Sequence, residues 1–232
     1  MKCDAILVRS FGGQMRRAAT ASDGASARFL LLVVCLACDS STTGELKRYN
    51  TGFMTGLVYA AVTYVRSPAG MFVEEMRREV HPAHTHADAH ITILPPRSLR
   101  GTESQAIQEL RNACRSFKPF DVTMGDVETF IPTTPTVFIR VAHGAYRIRE
   151  LHDLLNQGAL HCSEPWPYMP HLTIAKMDTL DEARKVVTLA RERWDHCDNS
   201  RRIRIDRVTF VKGQGERWMD LAEIALGTSA SG

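Results

Sequence analysis

The chain has 232 residues, 44% of them hydrophobic, with a formal net charge of +3. That is enough apolar material for one large domain or two small lobes around a real core. The mild basicity permits an anionic ligand without demanding one. Six cysteines are too scattered to form a disulfide framework, and the single CxxC at Cys35 and Cys38 has no second pair to complete a zinc site. Such thiols suit a reducing compartment, so the cytoplasm is the expected location.

Residues 1–53 differ in character from the rest of the chain. "RRAATASDGASAR" is small and polar, and "FLLLVVCLAC" is an apolar run over 29–38. A membrane-spanning helix needs roughly 20 apolar residues, so that run is too short to span. Three readings stay open for this N-terminal extension: a start assigned too far upstream, with Met54 opening the domain; a signal or anchor flanked by Arg16, Arg17 and Arg28; and a disordered leader. Export or membrane attachment is expected only if 29–38 is a real signal or anchor.

The folded unit is expected over 54–226, with a flexible tail at 227–232. "LVYAAVTYV" (57–65) reads as a strand. "GMFVEEMRREV" (70–80) places Phe72, Met76 and Val80 on one helical face. "AHITILPP" (89–96) reads as a strand stopped by its prolines. "TESQAIQELRNACRSF" (102–117) is a helix with a Thr cap. "FDVTMGDVETFI" and "TVFIRVA" (136–142) come next as strands, then "YRIRELHDLLNQG" (146–158) as a helix with a Gly stop. The pattern recurs: "HLTIAKM" (171–177) is a strand and "TLDEARKVVTLARERW" (179–194) a capped helix. "RIRIDRVTFVKG" and "RWMDLAEIAL" close the chain as two strands. Two similar halves of interleaved strands and helices favour an α+β protein with two sheets around a shared cleft.

Two of those strands carry the chemistry. "AHITIL" and "PHLTIA" each read His, apolar, Thr, Ile. Nine histidines give roughly one H-x-[ST] by accident; three are present, at His90, His161 and His171. His161, in "HCSEPW", has no strand around it. Side chains at i and i+2 of a strand share a face, so His90 projects with Thr92, and His171 with Thr173. Ile91, Ile93, Leu172 and Ile174 point the other way. Facing across a cleft, two imidazoles near pKa 6.5 supply one base and one acid, which is what in-line displacement at phosphorus needs. The threonine hydroxyls suit nonbridging oxygens, and no metal or other cofactor is required.

The paired H-x-T strands, "AHITILPPR" after a first strand and helix, and "PYMPHLTIAK" in the second half, resemble the 2H phosphoesterase superfamily, and most closely its 2′-5′ RNA ligase-like branch. The resemblance covers about residues 56–226. It implies two pseudo-symmetric lobes, each an antiparallel sheet with outer helices, around a central cleft. It also implies metal-independent opening of 2′,3′-cyclic phosphates or related cyclic phosphodiesters, with 2′-5′ joining of RNA ends in some members. Carried over by position, His90 and His171 are the acid/base pair, and Thr92 and Thr173 bind phosphate. The expected partners are RNA ends or cyclic nucleotides, and nothing predicts an oligomer.

Weaker candidates are Tyr168, where an aromatic often lines such a cleft, and Arg97, just past the prolines. Each competes with a plain structural role. Strict alternation puts Lys176 on the face opposite His171. Arg202 and Arg204 mark a basic strand face, more simply solvated than bound to RNA.

Two rival readings remain. "HTHADAH" is one residue away from the H-x-H-x-D-H dinuclear zinc signature, which would make the His84–His90 cluster a metal-hydrolase centre, but Ala89 separates Asp88 from His90. That reading leaves the second H-x-T unexplained, with His81, His84 and His86 simplest as loop residues. The other is a non-catalytic RNA- or nucleotide-binding module of the same fold, against which both intact histidines and threonines argue.

Overall fold

A computed structural model describes residues 57–82, 88–197, 201–214 and 217–227. The N-terminal extension, His84, His86 and residues 228–232 lie outside them, together with what was expected of each.

In chain order the elements are β1 (Val58–Tyr64), α1 (Pro68–Val80), β2 (His90–Arg97), α2 (Glu103–Ser116), β3 (Phe120–Thr129), β4 (Thr136–His143), α3 (Ala145–Leu155), β5 (His171–Lys176), α4 (Leu180–Asp195), β6 (Arg202–Ile205), β7 (Arg207–Gln214) and β8 (Arg217–Ala225). Local chemistry accounts for their limits. In α4, the Thr179 hydroxyl accepts from the Glu182 amide at 3.2 Å, and the Thr179 amide donates to the Glu182 carboxylate at 3.1 Å. This reciprocal cap satisfies two donors that the helix start would otherwise leave unpaired. Ala183, Val187, Ala190 and Trp194 then recur at helical spacing and are buried. The Trp194 indole N–H donates to the Gly125 carbonyl at 2.8 Å, pinning the helix to β3.

The class is α+β, and every strand pairing is antiparallel, in the order β6-β3-β4-β5-β2-β1-β7-β8. Two four-stranded lobes, β8-β7-β1-β2 and β5-β4-β3-β6, meet where Ile91 of β2 stands opposite Leu172 of β5. The two sheets expected from sequence are thus one continuous sheet, and it must curl. Ile205 and Arg207 are two residues apart, a reach of about 7 Å. They belong to strands six places apart in the order, about 29 Å if the sheet were flat.

Among the described residues, the four α-helices pack on one side of the sheet, over the shared apolar cluster. The lobes exchange them: α1, from the first half, packs on β5, while α3, from the second half, packs on β2. The helices α4 and α2 cover β3–β4 and β8. One buried apolar cluster runs beneath them through both lobes, from Tyr59, Ala61 and Ile91 to Ile139, Leu172 and Trp194.

Two sequence expectations need correction. β2 does not stop at its prolines; it runs through Pro95 and Pro96 to Arg97, which stands opposite Tyr59. Two register shifts against β1 interrupt the ladder along this stretch, and such irregularities are where a strand tolerates a missing N–H. "RIRIDRVTFVKG" is not one strand. It breaks at Asp206 into β6, paired with β3, and β7, paired with β1.

Candidate active site

The inner face of the sheet carries both H-x-T motifs. Along β2 and β5 the first five residues repeat one burial pattern: a half-buried His, a buried aliphatic, a half-buried Thr and two buried residues. Ile91, Ile93, Leu172 and Ile174 are fully buried on the helix side. Extending the Ile91–Leu172 register places His90 across from Thr173 and Thr92 across from His171. The two imidazoles then lie on a diagonal, where side-chain origins in a regular pair are about 7–8 Å apart.

The two histidines are held alike. His90 Nδ1 lies 2.7 Å from the Asp88 carbonyl, and His171 Nδ1 lies 2.7 Å from the Met169 carbonyl. A carbonyl only accepts, so each Nδ1 carries the proton and donates it, leaving Nε2 as the basic nitrogen. Around them the walls are aromatic. The Tyr64 ring meets His90 edge-on at 6.5 Å, and Phe130 and Phe138 pack on His171 at 5.2 and 5.1 Å. Burial lowers both pKa values below the ordinary 6.5. The Asp88 and Met169 carbonyls oppose this, and for His90 the charge of Arg77 and the other histidine add to it. Charging one ring makes the second harder to charge, so the pair favours one proton shared between two sites.

The structure brings His90, His171, Thr92 and Thr173 to one face, and it adds Lys176. Between β4 and β5 the register slips: Val137 pairs with Ala175, but Phe138 pairs with Thr173. The extra residue returns Lys176, opposite Thr136, to the side of Phe138, Thr173 and His171. Strict alternation, which puts Lys176 on the other face, fails at this bulge. Burial lowers the Lys176 pKa to about 8, so its charge is present below that pH and wanes above it. If Lys176 holds the substrate anion, KM rises as pH passes 8, and Lys176→Arg, whose charge does not titrate there, flattens that rise. A KM in the wild-type protein that stays constant from pH 7 to 9 would remove Lys176 from binding.

Arg97 and Tyr168 sit elsewhere. Arg97 is 2% exposed. Its guanidinium donates to the Pro95 carbonyl at 2.8 Å, Asn156 Oδ1 at 2.7 Å, the Leu160 carbonyl at 3.0 Å and Glu164 at 2.6 Å. The shifts in β2 carry it to the side of Tyr59, away from the cleft. Tyr168 packs against the helix-side core, its hydroxyl donating to the Thr92 carbonyl at 2.6 Å. His152 stacks on its ring, centroids 4.2 Å apart and planes 7° apart.

His161 lies outside any strand, its Nδ1 3.1 Å from the Asn156 carbonyl. Arg202 and Arg204 are exposed and both pair with Asp121, at 2.6 and 3.3 Å. Among the described residues, no three His, Cys, Asp or Glu side chains are grouped to hold a metal, and no helix is long and apolar enough to cross a membrane.

Comparison with known proteins gives the family of the chain and the kinship of its fold. The sequence profile of the 2′-5′ RNA ligase superfamily matches residues 65–217, and the chain belongs to that superfamily. A protein of Oceanobacillus iheyensis named "Putative phosphoesterase" is 28% identical over 102 residues, covering 44% of this chain and 59% of its own length. A protein of the same description from Halalkalibacterium halodurans is 25% identical over 126 residues, 53% of this chain and 72% of its own. Among solved structures, TT0787 of Thermus thermophilus shares the fold, with a TM-score of 0.50 and 15% identity over 74% of this chain and 99% of that one.

Proposed function

We propose that this chain is a phosphoesterase that opens 2′,3′-cyclic phosphates of RNA ends or nucleotides by two-histidine acid–base catalysis, without a metal. The observation that carries the reading is the matched pair of imidazoles. Each is held through Nδ1 by the carbonyl two residues upstream, and each shares a strand face with a threonine. In the forward step one neutral Nε2 takes a proton from water as its oxygen bonds to phosphorus. The opposite, protonated imidazole gives its proton to the ribose oxygen as that P–O bond breaks, leaving a phosphomonoester. Thr92 and Thr173 hold the nonbridging oxygens, and Lys176 supplies positive charge beside them. A 5′-hydroxyl in place of water joins two RNA ends instead, so ligation uses the same machinery; in water, hydrolysis dominates.

The test is turnover of 2′,3′-cyclic nucleotides and of a cyclic-phosphate-ended RNA in EDTA. Activity that survives chelation supports the reading. Activity restored only by zinc moves the chemistry to the His84–His90 segment. Tight RNA binding with no turnover makes the chain a binding module.

The reading also fixes a pH dependence. The competent pair has one charged and one neutral ring, and both pKa values of the free protein lie below 6.5. kcat/KM reports the free enzyme, so its profile is a bell with its maximum below pH 6.5. A maximum above pH 7.5 would show that other groups set the profile.

A further inference from the structure

β2 and β5 carry the two histidines, and at the lobe junction they pair at Ile91 and Leu172. Strand pairing at that one position is a slender tie between two groups that must act on one phosphorus. Side chains from opposite lobes reinforce it. Arg77 of α1, in the first half of the chain, reaches the second motif: its Nη2 donates to the Thr173 carbonyl at 2.9 Å and its Nε to the Ile174 carbonyl at 3.1 Å. Tyr168, in the second half, reaches the first motif and donates to the Thr92 carbonyl at 2.6 Å. Each motif threonine thus has its carbonyl held by a donor from the other lobe.

We infer that Tyr168 and Arg77 are a matched pair of positioning residues that set the separation of His90 and His171. The inference rests on the two-histidine reading for its kinetic consequence. Neither donor needs to touch substrate. Tyr168 itself is braced: His152 stacks on its ring, and the Glu164 carboxylate, 3.1 Å from His152 Nε2, also binds Arg97 of β2. The phenol therefore presents its hydroxyl from a fixed ring. Burial holds the Tyr168 pKa well above its usual value, so the hydroxyl remains a donor throughout the working pH range.

A displacement of about 1 Å between acid and base is enough to cost roughly 100-fold in rate. Tyr168→Phe, which keeps the ring and its stacking, is expected to lower kcat about 10- to 100-fold with KM within about threefold. Incorporating 4-aminophenylalanine at position 168 restores an N–H donor and should recover most of kcat. Arg77→Lys keeps one donor of the guanidinium and should lose less than Tyr168→Phe. A variant that is merely less stable would show a lower melting temperature and no such separation of kcat from KM. Unchanged kcat in Tyr168→Phe, or failure of the amine to rescue it, overturns the inference.

A second readout needs no turnover. With 15N-labelled histidine, the His90 and His171 ring resonances and their pH midpoints are followed in wild type and Tyr168→Phe. Shifted or broadened resonances support the positioning role even if cyclic nucleotides prove not to be substrates, in which case the proposed function falls and the inference stands. Identical resonances and midpoints overturn it whatever the substrate.

Discussion

His90→Ala and His171→Ala are each expected to reduce kcat by about 10²- to 10⁴-fold, the usual worth of a positioned acid or base. KM should change much less if, as proposed, Thr92, Thr173 and Lys176 hold the nonbridging oxygens. The two effects should not add. An acid without its base is out of its working protonation state, so the double variant should fall only modestly below the worse single one. The pH profile sharpens the test. Each single variant retains one imidazole, so its kcat/KM profile should lose one limb of the bell. Steady-state kinetics on a 2′,3′-cyclic nucleotide between pH 4.5 and 9 measures all of this. Wild-type kcat in either alanine variant would sink the acid–base assignment.

Arg97→Met should cost stability on the order of 3–5 kcal/mol, as breaking a buried ion pair from one side does. Arg97 is a candidate phosphate ligand by sequence, yet its guanidinium is spent inside the protein. Without it the Pro95 and Leu160 carbonyls and Asn156 lose donors, and Glu164 keeps a charge with less to balance it. Burial raises the Glu164 pKa, and its bonds to His152 and Arg97 more than reverse that, so the carboxylate depends on both partners. Removing the acid as well, in Arg97→Met with Glu164→Leu, should recover part of the loss because no unpaired charge remains. Urea unfolding midpoints of the wild type and the two variants would check it. A loss below 1 kcal/mol in Arg97→Met would mean that water replaces the guanidinium without penalty.

Sequence periodicity carries the element order and the face shared by the two motifs because both depend on short-range rules. His90, Thr92, His171 and Thr173 precede any irregularity in their strands, so simple alternation places them. Lys176 and Arg97 come after bulges, and a bulge is settled by pairing with a neighbouring strand that local sequence does not name. The same is true of Asp206, where the chain leaves one end of the sheet order and joins near the other. A trace of each bulge is present in the sequence: "ILPP" and "IAK" each continue the motif with two consecutive buried residues, Ile93–Leu94 and Ile174–Ala175. Tyr168 stands out by its position alone, but its hydroxyl is bonded to a backbone carbonyl 76 residues away, a contact no spacing rule reveals.

The exchange of α1 and α3 bears on how such a molecule can arise and be divided. Each half of the chain carries the helix that covers the other half's central strand, so neither half alone closes its own apolar surface. Two fragments cut between the halves should be insoluble apart and should assemble when mixed. By the same logic, an ancestor encoding a single half would have reached a sealed interior, and a pair of opposed histidines, only as a dimer of identical copies lending helices to one another. Fusion of two such genes would then have freed the copies to diverge.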